Sequence, residues 1–334
     1  MIASGDGANA RYRVFGPAAA LQARGHRVLA SVFTEMRDPN ALLDFDVVYG
    51  WRMHDEVFVR IAKLLGERRI GLVWDNDDNI AATELVAVDR KGRGTRVSAL
   101  QRHRVVANMT ALMRMADIVT TPSAGLAEHY RESVESEVRV LENYVQPAPP
   151  RPQPEHSQLV VGWVANAEHR ADVEPLGLRE AMQRLLERHP HVAVATVGCG
   201  LGIDSERYHH IPGVEFEDLR GYVATFDIGL APIADTPFNH SRSNIKVKEY
   251  AAFGIPWLAS PIGPYADLGG DEGGRLVPHD RWYEEVERLV LDARGRRKLG
   301  KKALKWARRQ TIEANVQLWE STLRDAARRA GRDV

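Results

Sequence analysis

Short runs of apolar, β-branched residues alternate along the chain with longer segments in which apolar positions recur at helical spacing. This alternation is typical of parallel sheets flanked by helices. In the first half of the chain it predicts strands at 28–33, 46–49, 70–74 and 117–121, and helices at 11–24 and 98–115. Only Met1 to Ser4 precede a Gly5-Asp6-Gly7 turn, which leaves either a short first strand or a late start codon. These elements predict one doubly wound α/β domain.

The second half of the chain repeats the pattern after a proline-rich segment. Residues 146–154 contain five prolines in nine positions, which excludes a helix or a central strand and predicts an interdomain linker. Beyond it we predict strands at 159–164, 192–197, 226–231 and 256–260, and helices at 172–189, 244–253, 282–294 and 296–329. The predicted domains are therefore an N-terminal one over 1–145 and a C-terminal one over 155–311. A C-terminal helix over about 312–334 is expected to pack back on the first domain.

Composition is compatible with this organisation. A chain of 334 residues is long enough for two cores, and 44% hydrophobic with 27% charged residues is an ordinary globular balance. Cys199 is the single cysteine, which excludes an intramolecular disulfide and favours a reducing, cytoplasmic location. No apolar run approaches the length of a membrane span, and no signal sequence is expected at the start of the chain.

Charge gives no global preference for a partner, because Lys plus Arg and Asp plus Glu number 45 each. Two local stretches are basic, at 90–104 and at 294–309. A solvated helix face is one interpretation of the second stretch. The other interpretations of this stretch are docking on an anionic membrane and docking on nucleic acid.

Loops that follow strands are where ligands bind in doubly wound sheets, and the first candidate is the turn after the first strand. Gly7 precedes a helix that contains Arg13, and the free amides of that helix would face a phosphate or an acceptor. A tight turn that needs only flexible glycines is the alternative.

The second candidate loop is acidic. Asp75, Asp77 and Asp78 follow a predicted strand directly, and carboxylates this close repel one another unless something offsets the charge. A metal ion and sugar hydroxyls are two candidates, and helix capping is the third. The position at a strand end favours a ligand.

Two further loops carry cations. His169 and Arg170 follow the first strand of the second domain, where they would meet a diphosphate, or lie in a solvated loop. Ser243 and Asn244 precede a helix whose first amides would bind phosphate oxygens, with Ser243 as its cap. Lys246 and Glu249 share a face of that helix, so one would neutralise a diphosphate while the other binds ribose hydroxyls. A surface Lys/Glu pair is the alternative.

Residues 246–260, which include Lys246, Glu249 and the run Ala-Ala-Phe-Gly-Ile-Pro before a strand, resemble the nucleotide-sugar motif of retaining GT-B glycosyltransferases. Residues 116–123, 141–143 and 226–232 resemble other segments of the same family in the same order. The resemblance implies a GT-B fold, with two Rossmann-like doubly wound domains facing across a cleft that binds the donor. It also implies transfer of a hexosyl or pentosyl group from a nucleotide-diphosphate sugar to an acceptor hydroxyl, with retention of configuration.

The same resemblance assigns roles to residues. Glu249 matches the glutamate that binds the donor ribose, and Lys246, His169 and Arg170 lie in regions that handle the diphosphate. Donor binding is also expected to involve four further residues: Gly7, Arg13, Ser243 and Asn244. No metal or cofactor is implied, and UDP is favoured over GDP. Independently of the resemblance, Asp75, Asp77 and Asp78 are the catalytic candidates, with Asp75 or Asp77 expected to orient or polarise the acceptor.

The sequence departs from the family pattern at two places. The family's second glutamate is replaced by Ser241, and its usual histidine after the fourth strand is replaced by the Asp75–Asp78 loop. These departures describe a divergent subgroup and leave two alternatives open: a nucleotide-sugar epimerase or hydrolase, and a catalytically silent nucleotide-sugar-binding module. The acceptor stays open between a glycan, a lipid-linked sugar and a hydroxymethylated DNA base.

Overall fold

The computed structural model describes residues 1–79, 98–149, 151 and 158–334, together with the backbone of two short strands at 86–88 and 94–96. Unit 1 comprises Met1–Asn143, His240–Ser243 and Asn315–Val334, and unit 2 comprises Tyr144–Asn239 and Asn244–Ala314. Parts of the predicted linker, at 150 and 152–154, and of the basic stretch at 90–104, namely 90–93 and 97, lie outside the described residues.

Unit 1 contains a parallel sheet. Its strands are β1 (Ile2–Ala3), β2 (Ser31–Val32), β3 (Val47–Trp51), β4 (Gly71–Asp75), β7 (Ile118–Thr121) and β8 (Glu137–Val140). They lie in the order β2-β1-β3-β4-β7-β8. Strands β5 (Val86–Val88) and β6 (Gly94–Arg96) form a separate antiparallel pair.

Helices cover this sheet and bury their apolar faces against it. They are α1 (Ala8–Ala10), α2 (Gly16–Ala23), α3 (Glu56–Glu67), α4 (Ala99–Met115) and α5 (Ala124–Arg131), with the end of the chain in α13 (Ile312–Arg329). A π-helical segment, Arg11–Phe15, joins α1 to α2. A capping box between Ser98 and Gln101 begins α4. The core is rich in large side chains, among them Phe58, Trp74 and Trp319.

Unit 2 contains the second parallel sheet. Its strands are β9 (Leu159–Ala165), β10 (Val192–Gly198), β11 (Tyr208–Ile211), β12 (Ile228–Ala231), β13 (Trp257–Ala259) and β14 (Gly274–Leu276). They lie in the order β11-β10-β9-β12-β13-β14. Because the order reverses direction between β9 and β12, the loops that follow these two strands border a topological switch point, where ligands bind in such sheets.

The helices of unit 2 pack on both faces of this sheet, and each face has its own core. They are α6 (Arg170–Val173), α7 (Leu178–Arg188), α8 (Phe216–Val223), α10 (Ile245–Ala252), α11 (Trp282–Leu291) and α12 (Ala293–Ala307). The short helix α9 (Pro237–His240) belongs to unit 2 except for its last residue, His240, which is assigned to unit 1.

The predicted α/β class with two doubly wound sheets is confirmed. Two predicted helices are each divided in the structure. The helix predicted at 172–189 is interrupted at Gly177, whose φ of +54° is the left-handed conformation that favours glycine. The helix predicted at 296–329 is two helices, α12 and α13. Within the described part of the chain, no helix combines the length and the apolar character needed to cross a membrane.

Candidate functional site

The carboxyl end of β4 in unit 1 carries a buried ion pair. Asp75 is the last residue of β4 and is fully buried, as is Arg13 of the π-helical segment. The Nε of Arg13 donates to Oδ2 of Asp75 over 2.9 Å, and a second guanidinium nitrogen bonds the other oxygen. Thr120, at the end of the neighbouring strand β7, donates to Oδ1 of Asp75 over 2.6 Å. Both carboxylate oxygens of Asp75 therefore have partners within unit 1.

Arg13 also binds the segment that follows β8. It donates to the side chain of Asn143 over 3.1 Å and to the carbonyl of Leu141, and its guanidinium lies 5.1 Å from the ring centre of Trp319. Burial acts against the charged form of Arg13, but the charge and hydrogen bonding of Asp75, together with Tyr49 and the charge of Asp77, outweigh it and raise the pKa of Arg13. The sequence predicts substrate contact for Arg13 and Asp75. In the structure both side chains are buried and each is the other's counter-charge, and their contact with substrate stays a prediction.

Asp77 and Asp78 share a different cation, Arg52. The Nε of Arg52 donates to Oδ1 of Asp77 over 2.5 Å, and another of its nitrogens bonds Asp78. The indole of Trp51 donates to the same oxygen of Asp77 over 2.8 Å. Arg52 has φ of +54°, a conformation that is uncommon for a residue with a side chain, and its guanidinium lies 4.9 Å from the ring centre of Trp51.

Two guanidinium groups thus offset two of the three negative charges of this loop. Burial opposes the charged form of Arg52, yet the charges of Asp77 and Asp78 raise its pKa. The side chain of Asp77 is 2% exposed and that of Asp78 is 32% exposed, so Asp78 is the carboxylate of this loop that presents surface. Among the described residues, no group of three or more His, Cys, Asp or Glu side chains is arranged to hold a metal ion.

Gly7 and Ser243 are further site residues predicted in unit 1, and Ser243 is joined to Arg13 through the side chain of Asn143. Gly7 is exposed in an extended conformation and begins α1, and a methyl group added at Gly7 would meet no neighbouring atom within 4 Å. Ser243 accepts a hydrogen bond from the amide of Asn143 over 3.0 Å. The buried Ser241 accepts one from Ser123 over 2.7 Å at its carbonyl. Ser243 and Ser241 therefore contribute to the packing of unit 1.

In unit 2, the loop after β9 places a histidine beside a lysine. His169 is 3% exposed, and its Nδ1 lies 2.7 Å from Oδ2 of Asp172. Its Nε2 lies 3.2 Å from Nζ of Lys246, at the first turn of α10. The rings of His169 and Trp163 are in edge contact, with Lys246 6.0 Å from the same indole. At the carboxyl end of β9, the ammonium group of Lys246 therefore lies beside the imidazole of His169 and the indole of Trp163.

Asp172 connects this loop to the segment after β12. Its Oδ1 accepts from the Ala234 amide over 2.9 Å and from Asn239 Nδ2 over 2.8 Å. Burial acts to raise the pKa of Asp172, but the hydrogen bonds from His169, Ala234 and Asn239, with the charge that His169 carries when protonated, outweigh it and hold that pKa below its ordinary value. Asp172 is thus a buried carboxylate stabilised in its charged form.

Arg170 is exposed at the start of α6. Burial raises the pKa of the Cys199 thiol, while the positive charges of Arg170 and Lys246 oppose that rise. Cys199 follows β10, the strand next to β9, so both cations act on the same edge of the sheet. Two carboxylates, Asp172 and Glu168, act on the same thiol in the opposite sense, so both cations and anions lie near this edge of unit 2.

Helix α10 carries the other predicted donor residues. Its N-cap is Asn244, without a capping side-chain bond, whereas the sequence predicts Ser243 as the cap; Ser243 bonds Asn143 instead. Glu249 is nearly buried, with Oε2 3.9 Å from Nε of Arg220, and Arg220 also donates to the carbonyls of Gln146 and Pro147. Lys246 and Glu249 therefore have different neighbours within unit 2.

The basic helix predicted at 294–309 corresponds largely to α12. Leu299, Ala303 and Trp306 form its buried face. Arg296 bends back to the carbonyl of Leu289 over 2.7 Å, and Lys302 pairs with Asp271 over 2.7 Å. The other basic residues of this stretch are exposed: Arg294, Arg297, Lys298, Lys301, Lys305, Arg308 and Arg309. Docking of this surface on an anionic partner stays a prediction.

The structure brings together Arg13 with Asp75, Asp77 with Asp78, and His169 with Lys246. Three charged residues of these regions were missed: Arg52, Asp172 and Lys248. Asp172 was accessible to sequence reasoning, because it lies three residues after His169 on a helical turn. Lys248 is fully buried, with its Nζ 4.7 Å from the ring centre of Tyr144, and nothing in its local sequence indicates burial.

Comparison with known proteins gives structural relatives alone, since no family model and no curated protein sequence matches the chain. HepE from Anabaena, solved with UDP and glucose, superposes with a TM-score of 0.60 at 14% identity over 92% of this chain and 88% of that one. Sucrose-phosphate synthase from Thermosynechococcus elongatus gives a TM-score of 0.58 at 16% identity over 85% and 74%. A UDP-forming α,α-trehalose-phosphate synthase from Burkholderia xenovorans gives 0.55 at 13% identity over 84% and 74%.

These relatives define the fold class. Together with the two parallel sheets, they confirm the predicted GT-B fold of two Rossmann-like domains. At these identities the similarity extends to the fold and not to substrates.

Proposed function

We propose that this protein is a glycosyltransferase that moves a sugar from a nucleotide-diphosphate donor to an acceptor hydroxyl. The observation that carries the proposal is the pairing of Lys246 with His169 at the carboxyl end of β9, the switch-point edge of unit 2 in a GT-B fold.

The chemistry of glycosyl transfer fits this edge. Breaking the bond between the anomeric carbon and a diphosphate leaves negative charge on the phosphate, and stabilising that charge is the main catalytic task. Lys246 and the exposed Arg170 are cations at one edge of the sheet, and both act electrostatically on Cys199. In the proposal they bind the diphosphate, and the first amides of α10 add hydrogen-bond donors.

The donor nucleotide and the stereochemistry are the finer parts of the proposal. UDP is favoured over GDP, since HepE is solved with UDP and glucose and the trehalose-phosphate synthase is described as UDP-forming. Glu249 is proposed to bind the ribose, as the resemblance implies. Retention follows if the leaving phosphate deprotonates the acceptor hydroxyl on the same face of the sugar, which requires no protein nucleophile.

The acidic loop of unit 1 is proposed to orient the acceptor. Asp78 presents surface, and Arg52 holds Asp78 and Asp77 in place. Asp75, the first residue of this loop, is anchored by its buried ion pair with Arg13. The chemical class of the acceptor stays open.

Calorimetric titration with UDP tests the donor site. The wild-type protein should bind UDP, and Lys246→Ala should weaken binding by at least about tenfold, or 1.4 kcal/mol, because a charge-assisted contact to the diphosphate is lost. Glu249→Gln should weaken UDP binding and leave inorganic pyrophosphate binding unchanged. Lys301→Ala, at an exposed position of α12, is the matched control and should bind as wild type.

Turnover separates the proposal from its alternatives. Transfer of glucose from UDP-glucose to a member of an acceptor panel supports it, and consumption of donor without acceptor would indicate a hydrolase or epimerase instead. Binding without any turnover would indicate a silent module, which the replacement of the family's second glutamate by the buried Ser241 favours. Wild-type affinity in Lys246→Ala would refute the donor site.

A further inference from the structure

The environment of His169 fixes which of its ring nitrogens carries the proton. A carboxylate only accepts hydrogen bonds, so Nδ1, 2.7 Å from Oδ2 of Asp172, must be the N–H donor. A lysine ammonium only donates, so Nε2, 3.2 Å from Nζ of Lys246, must be the unprotonated acceptor. His169 is therefore neutral, in the tautomer with its proton on Nδ1.

Asp172 is itself held rigidly by groups from another loop. The Ala234 amide and Asn239 Nδ2 both donate to its Oδ1, at 2.9 and 2.8 Å, which leaves Oδ2 directed to His169. Asn239 is fixed in turn by the Ala234 carbonyl at 2.8 Å. The orientation of Asp172 therefore follows from the backbone after β12.

We propose that Asp172 is a positioning residue that, through the tautomer of His169, aims the ammonium group of Lys246. The chain runs from Asp172 to Nδ1 of His169, and from Nε2 of His169 to Nζ of Lys246. At 3% exposure, His169 serves as a buried acceptor that limits the rotamers of Lys246. The consequence for diphosphate binding rests on the function proposed above, while the tautomer and the position of Lys246 do not.

Asp172→Asn isolates this role. The amide oxygen of asparagine still accepts from Ala234 and Asn239, so those packing contacts are kept. Its NH2 group then faces Nδ1 of His169 and donates to it, which moves the ring proton to Nε2. Nε2–H and the ammonium of Lys246 are both donors, so Lys246 must leave its position. We expect UDP affinity to fall by about tenfold, as for Lys246→Ala, because the effect is exerted through that lysine.

The first measurement needs no variant. Nitrogen-15 NMR of the wild-type imidazoles, with His169 assigned from the signal lost in His169→Gln, should show a neutral ring protonated on Nδ1. In Asp172→Asn the signal should change to the tautomer protonated on Nε2. A wild-type ring protonated on Nε2, or an unchanged tautomer in Asp172→Asn, would overturn the proposal.

The second measurement is a double-mutant cycle on UDP affinity. If Asp172 acts through Lys246, Asp172→Asn should weaken binding in the wild-type background and have less than about a twofold effect in Lys246→Ala. An equal loss in both backgrounds would overturn the positioning role and indicate a general structural defect. Asp280→Asn, at an exposed position of unit 2, is the matched control. If wild-type protein does not bind UDP, the proposed function fails, and the tautomer measurement still tests the positioning of Lys246.

Discussion

At the scale of single residues, the acidic loop shows how burial converts a carboxylate from a surface group into a structural one. Removing a charged group from water costs several kcal/mol, and the cost is repaid only by close, well-oriented partners. Asp75 has such partners in Arg13 and Thr120, whereas the side chain of Asp78 remains partly exposed to solvent. The buried Asp75 is therefore a structural group, whereas the partly exposed Asp78 can also contact a ligand.

Replacing Asp75 by Asn should destabilise unit 1 strongly. The substitution keeps the shape but leaves the buried guanidinium of Arg13 without its counter-charge, at an expected cost of about 3–5 kcal/mol. Glu56→Gln makes the same chemical change in an exposed pair with Arg104 and should cost less than about 1 kcal/mol. Denaturant unfolding of the two variants measures the difference, and a loss below 1 kcal/mol in Asp75→Asn would show that the pair is not structural.

The sequence indicated where the site residues lie but not what they contact. Asp75, Asp77 and Asp78 are recognisable as a cluster after a strand, because they are adjacent. Arg13 is 62 residues from its partner Asp75, and Arg52 is 25 residues from its partner Asp77. Residues so far apart in sequence produce no local pattern from which their pairing could be predicted. Burial of Arg13 and Lys248 likewise depends on tertiary packing, so both resemble surface cations in sequence.

At the scale of elements, strand β4 depends on a close approach to the C-terminal helix α13. The backbone of Ala326 and Ala327 lies about 2.7 Å from where a Cβ atom at Gly71 would be. A backbone neighbour cannot move as a flexible side chain does, so only glycine allows the helix to lie this near the strand.

Gly71→Ala should therefore destabilise the protein by about 1–3 kcal/mol through overpacking. Gly66→Ala, in α3, is the matched control: a methyl group there meets nothing within 4 Å, and alanine favours a helix by about 0.5–1 kcal/mol. Thermal unfolding should rank Gly66→Ala at or above wild type and Gly71→Ala below it. Equal midpoints for the two variants would contradict this account of the strand–helix contact.

Several strands with strong hydrophobic patterns were predicted, whereas the amphipathic helix α3 and elements that depend on tertiary contacts were missed. The strands at β4, β9, β10 and β12 match the apolar runs to within one or two residues. By contrast, β8 and β11 were not predicted; β8 alternates charged and apolar residues, and β11 is partly exposed at the edge of its sheet. The π-helical turn at Arg11–Phe15 was also missed, because its sequence is compatible with an ordinary helix.

At the scale of the whole molecule, unit 1 is formed by separate stretches of the chain and not by one continuous segment. Unit 1 is completed by Asn315–Val334, which follow all of unit 2 in sequence. In that segment Trp319 is 1% exposed, with its ring 5.3 Å from that of Tyr49 and within cation–π distance of Arg13. The core of unit 1 is therefore incomplete until the last residues of the chain are present.

Trp319→Ala should for this reason weaken unit 1 selectively. Truncating a buried tryptophan costs about 3–5 kcal/mol, and here it also removes a face against which the buried Arg13 packs. The preceding residue offers the control, since Leu318 is 39% exposed on the same helix and Leu318→Ala should cost less than about 1 kcal/mol. Hydrogen exchange read by mass spectrometry distinguishes the units: peptides containing β3 and β4 should exchange faster in Trp319→Ala, while those containing β9 and β10 keep their protection. Because Lys246 and His169 belong to unit 2, the UDP affinity of this variant should stay near that of the wild type. Uniform loss of protection across both sheets would show instead that the two units unfold as one, and that the C-terminal segment stabilises the whole chain and not unit 1 alone.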